Sequence, residues 1–355
     1  MLKIATLFSG IGAPEEALRQ LKIKHKVVFA SDNGERELKS SYNEIKKLTK
    51  GMSSKKTNQY IEELYFEETK KINYPKITYL ANNKLNHGDW IEDIRFGDFS
   101  YYKDKVDILI GGSPCQSFSA LGKRKGINDA RGTLFYDFAR AIDECKPKVF
   151  IYENVLGITN IDSGETWLRM KEIVKELGYE VNEYILNAKD FNLPQNRIRV
   201  FLIGFLNKPK NVLEFSKVEL KLSMFDFLEK EISNDYYLSP KGFAFVTNKK
   251  YKNRAKVNEK IIMCQKANQQ FNWNGNFIFE KNKKIEGKHF GLFNGEFGSI
   301  RKLTPRECFN LMGFSRKFII PKDEINDQKL YRQSGNSIAV PVLKEIFKQV
   351  INNLK

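Results

Sequence analysis

Residues 106–119 are VDILIGGSPCQSFS, an apolar run that leads into a polar loop. The apolar run predicts a short buried strand, and the two glycines and the proline predict its sharp end. Cys115 then follows the carboxyl end of a strand, which is where open α/β sheets place their chemistry. Two interpretations stay open here: a nucleophile presented by a polar loop, or a buried structural cysteine.

The N-terminal segment predicts a strand, a glycine turn and a helix. Residues 3–8 are apolar, Ser9-Gly10-Ile11-Gly12 turns the chain, and Pro14 with two glutamates suits the first turn of a helix. This order is typical of the nucleotide-binding opening of a doubly wound fold, although a simple tight turn explains the glycines equally well. Asp32 ends a second apolar run, as a ribose-binding acid or as a helix N-cap.

Strands and helices continue to alternate as far as residue 204. A helix is predicted over 133–142 and a strand over 148–152, which ends at Glu153. Glu153 is therefore expected at the same sheet edge as Cys115. In the last strong strand, Arg197 and Arg199 alternate with apolar residues, so both are predicted to project from one face. The alternation predicts an α/β chain with a doubly wound, Rossmann-like sheet.

The composition indicates a polyanionic partner. The chain has 355 residues and a formal net charge of +17, from 60 Lys and Arg against 43 Asp and Glu. Such a surplus is typical of nucleic-acid binding, although a generally lysine-rich composition would produce it too. The four cysteines are widely spaced and there are three histidines, so neither a metal site nor a disulfide framework is expected. The expected environment is a reducing cytoplasm, and no apolar run reaches membrane-spanning length.

Two regions interrupt the alternation. Residues 35–84 predict an inserted pair of helices, with Ile61, Leu64, Tyr65 and Phe66 facing inward. The insertion is either a flap that faces DNA or only a solvent-exposed addition to the surface. After about residue 205 the periodicity weakens, and a separate, smaller domain is predicted. Basic and aromatic residues interleave there in a way that suits nucleic-acid contact, namely Lys249, Lys250, Tyr251, Lys252, Arg254, Trp273, Phe277 and Phe279.

The C-terminal part adds two local predictions. Thr304, Pro305 and Glu307 predict a helix that begins with a capping box. Gly335-Asn336-Ser337 then precedes an apolar helix that runs from Val340 to about Ile351.

The motifs, taken in order, resemble those of the DNA (cytosine-5) methyltransferase family of bacterial or phage restriction-modification type. They are F-x-G-x-G at 8–12, P-C-Q at 114–116, E-N-V at 153–155, Q-x-R-x-R at 195–199, R-K-L-T-P-R-E-C at 301–308 and G-N-S at 335–337. The resemblance implies a catalytic domain of residues 1–205 plus 320–355 that binds S-adenosylmethionine. It also implies a target-recognition domain with its hinge over 206–319.

The resemblance also implies a role for each matching position. Cys115 would be the nucleophile, Glu153 would protonate or hydrogen-bond the base, and Arg199 would support it with Arg197 nearby. The cofactor would contact Phe8, Gly10, Ile11, Gly12, Asp32, Asn33, Asp89, Trp90, Pro114, Leu134, Asn336 and Ser337. Asp32 would take the ribose hydroxyls. The long connection after Asp32 leaves open whether Asp89 or Asp93 meets the adenine, and no metal is implied.

The implied substrate is double-stranded DNA, from which the target cytosine must be flipped because neither of its faces is accessible in a duplex. The Gly-flanked basic segment 122–126 would then act as a lid over the phosphate backbone. A monomer without membrane contact is expected. A cognate restriction endonuclease would be a partner that acts separately. Two alternatives stay open, a DNA-binding module with an inactive catalytic fold and an RNA cytosine methyltransferase.

Overall fold

The secondary structure alternates strands and helices in the first 205 residues and is more mixed thereafter. This computed structural model describes residues 1–86, 88–114 and 134–354. Its strands are β1 Leu2–Leu7, β2 His25–Ser31, β3 Trp90–Ile91, β4 Ile108–Gly111, β5 Val149–Val155, β6 Glu180–Asn187, β7 Gln195–Asn196, β8 Ile198–Phe205, β9 Ala255–Val257, β10 Ile262–Met263, β11 Gly275–Lys281, β12 Gly291–Phe293 and β13 Glu296–Lys302. Its helices are α1 Ala13–Gln20, α2 Tyr42–Leu48, α3 Ser54–Thr69, α4 Tyr74–Asn82, α5 Leu134–Cys145, α6 Glu165–Glu176, α7 Pro240–Thr247, α8 Pro305–Asn310, α9 Asp327–Asn336 and α10 Val340–Leu354.

Unit one comprises Met1–Leu186, Ile198–Phe215 and Lys344–Lys355, and it is built on a seven-stranded sheet. The strand order is β3-β2-β1-β4-β5-β8-β6. The strands from β3 to β5 pair in parallel, and β8 runs antiparallel to β5. Central residues such as Leu7, Leu109 and Phe150 are fully buried, as expected for parallel strands covered by helices on both faces. The predicted doubly wound α/β sheet is thereby confirmed.

The insertion between β2 and β3 contains three helices, α2 to α4, so the predicted helical pair is wrong. Ile61 and Tyr65 on α3 are buried as expected, at 1% and 0% exposure. Phe66 is 66% exposed, against the prediction, because it lies about 100° around the helix from Tyr65. Asp32 is not a helix N-cap either, since the next helix begins only at α2, where Ser41 is the cap.

Unit two comprises Asn187–Arg197 and Ser216–Leu343. A four-stranded sheet of order β12-β13-β11-β9 forms its centre, and a second small sheet pairs β7 with β10 in parallel. Thr304 caps α8 with Pro305 in its first turn and Glu307 completing the capping box, which confirms the prediction. The predicted C-terminal apolar helix is α10.

Two of the aromatic residues expected to contact nucleic acid lie in the core of unit two. Phe277 is fully buried and Phe279 is 9% exposed, and both pack in one cluster with Phe243 and Ile300. The prediction is wrong for these two residues because β11 pairs on both edges and turns their side chains into this core. Among the described residues, no helix has the length and apolar character needed to cross a membrane.

Candidate active site

Two glycines allow the end of β4 to approach its neighbours closely. A Cβ atom added at Gly111 would lie 2.5 Å from the carbonyl oxygen of Leu7. One added at Gly112 would lie 2.5 Å from the carbonyl oxygen of Glu153 and 2.9 Å from its Oε2. No side chain fits at either distance without displacing backbone. The glycines of the sequence motif are therefore required by packing, and they bring the Glu153 carboxylate next to the end of β4.

A buried network of three polar side chains ties the next residue to β5. The hydroxyls of Ser113 and Tyr152 lie 2.7 Å apart. The Asn154 amide donates to the Ser113 carbonyl oxygen at 2.9 Å and to the Tyr152 hydroxyl at 3.0 Å. Ser113 and Asn154 are 3% and 4% exposed, so these bonds are shielded from water. The backbone that leads to Pro114 is thus held at a defined place beside β5.

Cys115 itself lies outside the described residues, as does the predicted basic lid at 122–126. The structure therefore describes the approach to the predicted nucleophile up to Pro114, which is exposed. Leu134, the first residue of α5, is half-buried and packs against the main core of unit one.

Glu153 and Arg199 form an ion pair on the adjacent strands β5 and β8. Arg199 Nε lies 3.0 Å from Glu153 Oε1, and the two side chains are 15% and 13% exposed. The antiparallel register sets Val155 opposite Arg199, so the two charged side chains are diagonal neighbours. Arg199 also donates from Nη1 to the carbonyl oxygen of Ile198 at 2.8 Å. A carboxylate and a guanidinium are therefore aligned beside Gly112.

Arg197 does not share a strand face with Arg199, so that prediction is wrong. Arg197 lies between β7 and β8, where the strand is interrupted, and it belongs to unit two. Its guanidinium is directed to backbone carbonyl groups of that unit. It donates to Gln265 at 2.8 Å, to Gly335 at 3.0 Å and to Ser337 at 2.6 Å. Arg197 thus fixes the turn around Asn336, which is exposed.

The glycine turn and Asp32 form one hydrogen-bonded structure. Phe8, Gly10 and Gly12 all have positive φ angles, of 53°, 54° and 86°, and Ile11 between them is buried. Gly10 N–H donates to Asp32 Oδ2 at 2.9 Å. Gly34 N–H donates to Asp32 Oδ1 at 2.8 Å. Burial raises the pKa of Asp32, and these two N–H groups act in the opposite direction.

Asp89 and Asp93 lie on opposite sides of β3 along the chain, and therefore near opposite edges of the sheet. Ala30 of β2 pairs with Trp90 in parallel, so Asp89 lies before β3 while Asp93 follows it at the carboxyl edge. Asp89 accepts from Asn86 at 2.9 Å. The Trp90 side chain is 8% exposed and meets Tyr79 of α4 edge to face.

Sequence reasoning missed Glu92, Tyr65 and Asn73 as members of this region. Glu92 is 3% exposed and forms ion pairs with Arg36 and Lys76. An acidic pair directly after the apolar residues Trp90 and Ile91 was the available signal for Glu92. No local pattern marks the contacts of Tyr65 with Asp93 and of Asn73 with Asp32, since these partners lie 28 and 41 positions away in the sequence.

Comparison with known proteins identifies the family to which this fold belongs. The family model of the C-5 cytosine-specific DNA methylase matches residues 64–352. The chain is 36% identical to the Type II methyltransferase M.SsoII of Shigella sonnei over 286 residues, which cover 76% of this chain and 70% of that protein. It is 36% identical to M.HpaII of Haemophilus parainfluenzae over 285 residues, which cover 74% and 78%. The solved structure of the Entamoeba histolytica methyltransferase EhMeth shares the fold, with a TM-score of 0.66, 17% identity and coverage of 100% and 99%. The chain belongs to the family of C-5 cytosine-specific DNA methylases.

Proposed function

We propose that this enzyme transfers the methyl group of S-adenosylmethionine to carbon 5 of a cytosine flipped out of duplex DNA, with Cys115 as nucleophile. The observation that carries the residue assignment is the Glu153–Arg199 ion pair at 3.0 Å. The Glu153 carboxylate of this pair lies against Gly112, three residues before Cys115. A base must leave the helix to reach such a site, at a cost of a few kcal/mol.

The chemistry requires a nucleophile and groups that receive the charge it generates. Carbon 5 of cytosine is a poor nucleophile until a thiolate adds to carbon 6, which converts the ring to an enamine. Glu153 would hold a proton at ring nitrogen 3, and Arg199 would bind the ring carbonyl oxygen, where negative charge also develops. After methyl transfer, loss of the carbon 5 proton and of the thiolate restores the aromatic ring.

The residues around Asp32 suit S-adenosylmethionine. Each carboxylate oxygen of Asp32 accepts one backbone N–H group and keeps a further lone pair, so the pair of oxygens can accept two adjacent ribose hydroxyls. The bound cofactor supplies a methyl group on a positively charged sulfur. We assign the turn from Phe8 to Gly12 to its binding, with Asn33, Pro114, Leu134, Asn336 and Ser337 as further contacts. Asp93 lies at the carboxyl edge of the sheet and Asp89 does not. We therefore assign Asp93, rather than Asp89, as the acid nearest the adenine.

The two functions divide along the chain as the motifs suggest. We propose that residues 1–205 plus 320–355 act as the catalytic domain and that 206–319 select the target sequence. The protein would act as a monomer in the cytoplasm, where the DNA of a bacterial host lies. A cognate restriction endonuclease, if the host has one, would bind and cut DNA separately.

The direct test is to incubate the purified protein with duplex DNA and S-adenosylmethionine labelled in its methyl group. We expect labelled 5-methylcytosine in the nucleosides after DNA digestion, measured by mass spectrometry. Transfer RNA is offered in the same reaction as a competitor. Label in RNA alone, or in no cytosine, would contradict the proposed function.

A basic strip on unit two supports contact with DNA. The strip consists of Lys249, Lys250, Lys252 and Arg254, all of which are exposed. The surrounding residues 240–258 contain no acidic residue. Within the described ranges, no carboxylate forms an ion pair with any of the four. Their charge is therefore available to a polyanion.

An aromatic stack fixes this strip to α7. The rings of Tyr251 and Phe245 stack with centroids 4.1 Å apart and planes 9° apart, and Trp273 packs on Phe245 at 5.3 Å. The Arg254 guanidinium lies 5.4 Å from the centre of the Phe245 ring. Since these rings contact one another, we assign DNA contact to the four basic side chains and a supporting role to the aromatic residues.

Replacing the three lysines of the strip should weaken DNA binding in a salt-dependent way. Each phosphate contact contributes about −0.9 to the slope of log K against log salt. For Lys249→Ala/Lys250→Ala/Lys252→Ala we expect this slope to become shallower by about 2 to 3, with equal losses on target and non-target duplexes. Fluorescence anisotropy with both duplexes at several salt concentrations measures this slope and these losses.

The matched control removes three exposed lysines of unit two that do have acidic neighbours. Lys217, Lys221 and Lys281 lie 3.7, 4.0 and 2.6 Å from carboxylate oxygens. Their replacement by alanine should change the slope by less than about 1. Equal slopes for the two triple variants would contradict the assignment of the strip.

A further inference from the structure

The helical insertion reaches the turn that follows β2 through Asn73. The Asn73 amide donates to the backbone carbonyl oxygen of Asp32 at 2.8 Å, across 41 positions of sequence. Its Oδ1 accepts from Lys76 N–H at 3.1 Å and so caps α4. A Cβ added at Gly34 would lie 2.6 Å from Asn73 Oδ1, which shows how closely the two segments pack. The backbone of Asp32 is therefore anchored from the insertion.

A buried charged centre holds the other side of the same turn. Glu92 accepts from Asn73 at 3.0 Å and from Lys76 at 2.6 Å, and it pairs with Arg36. Arg36 in turn donates from Nε to the carbonyl oxygen of Asn33 at 2.8 Å. Glu92 and Arg36 are 3% and 5% exposed, so water competes little for these bonds. Two successive carbonyl groups of the turn are thus fixed, one by Asn73 and one by Arg36.

Tyr65 of α3 extends this support to the acid after β3. The Tyr65 side chain is fully buried, and its hydroxyl donates to Asp93 Oδ2 at 2.7 Å. The Arg36 guanidinium lies over its ring at 4.5 Å. Burial, together with the Asp93 carboxylate, raises the pKa of Tyr65, so the hydroxyl stays a donor. The helical insertion therefore contacts both the turn at Asp32 and the acid Asp93 at the carboxyl edge of the sheet.

We propose that α3 and α4 are positioning elements of the cofactor site, and that Asn73 and Tyr65 raise its affinity for S-adenosylmethionine. The inference rests on the proposed function, which assigns Asp32 to the ribose. A turn held in its binding conformation loses less entropy when the ligand binds. The hydrogen bonds that hold the turn therefore increase its affinity for the ligand. Neither side chain would take part in the methyl transfer itself.

The test compares Asn73→Ser and Tyr65→Phe with the wild-type enzyme. Serine keeps an acceptor for the α4 cap but removes the amide donor, and phenylalanine removes only the hydroxyl. Calorimetry with S-adenosylhomocysteine, without DNA, measures cofactor-site affinity directly. We expect the dissociation constant to rise about five- to tenfold in each variant, as for one lost hydrogen bond in a preorganised site. KM for S-adenosylmethionine should rise in parallel, with kcat within about twofold.

Two matched controls carry the same chemical changes elsewhere. Tyr179→Phe removes the hydroxyl that donates to the Pro147 carbonyl oxygen at 2.7 Å from a tyrosine that is 3% exposed. Asn326→Ser alters the residue that caps α9 in unit two. We expect both to lower the thermal midpoint as much as the test variants while leaving the dissociation constant unchanged.

The outcomes separate this inference from the function on which it rests. Wild-type protein that binds no S-adenosylhomocysteine overturns both. A tight wild-type complex with Asn73→Ser and Tyr65→Phe within about twofold of it overturns the positioning role alone. The same holds if the controls weaken binding as strongly as the test variants, since the loss would then follow general destabilisation.

Discussion

Cys115→Ala is expected to reduce methyl transfer by at least about 10³-fold, because alanine has no thiolate that could add to carbon 6 of the base. Binding of duplex DNA should stay within about threefold of wild type, since a thiol contributes little to contacts with a polyanion. Single-turnover methylation with labelled S-adenosylmethionine, and anisotropy with the same duplex, measure the two quantities separately.

A covalent readout makes this prediction sharper. A duplex with 5-fluorocytosine at the target has no carbon 5 proton to lose, so the thiolate adduct cannot resolve after methyl transfer. Wild-type protein should therefore form a DNA complex that survives denaturing electrophoresis, and Cys115→Ala should form none. Cys145→Ala, a buried cysteine of α5, is the control and should keep both the adduct and the activity. Methylation at wild-type rate by Cys115→Ala would rule out the proposed nucleophile.

Glu153→Gln should lower kcat about 10²- to 10⁴-fold, the usual range for losing a general acid or base. Glutamine keeps the size and the hydrogen-bonding ability of the side chain but cannot transfer a proton. The variant also removes the charge that faces Arg199 at 3.0 Å, so we expect a loss of stability of about 1–3 kcal/mol. Rates are therefore compared well below both thermal midpoints, after urea titrations have shown that both proteins are folded.

The control for this variant is Glu183→Gln in β6. Glu183 accepts from the Trp167 indole at 2.7 Å and pairs with Lys171 at 3.1 Å, so the same substitution breaks an ion pair of the same unit. Its kcat should stay within about twofold of wild type. A Glu153→Gln enzyme that retains half of its kcat would show that this carboxylate does not serve the reaction.

The contrast between the two arginines shows where sequence reasoning is limited. Arg197 and Arg199 stand two positions apart, and alternation predicts one shared face. In the structure a break between β7 and β8 separates them. Arg199 pairs with Glu153, while Arg197 fixes the carbonyl groups of Gly335 and Ser337. A strand break of one residue leaves no clear signal in a local pattern, because both flanking segments have strand character.

Local patterns alone determined the alternation of the first 205 residues, the capping box at Thr304 and the order of motifs that leads to the family. These features depend on bonds between residues a few positions apart or on short motifs, so they can be deduced from a single sequence. Only the tertiary structure decided that Phe277 is core, that Tyr65 and Asn73 bond to Asp93 and Asp32, and that Glu153 meets Arg199. Those contacts join residues tens of positions apart, and packing of whole elements sets them. The apolar run and glycines at 106–112 predicted the end of β4, and the tertiary structure placed the Glu153–Arg199 pair beside Gly112.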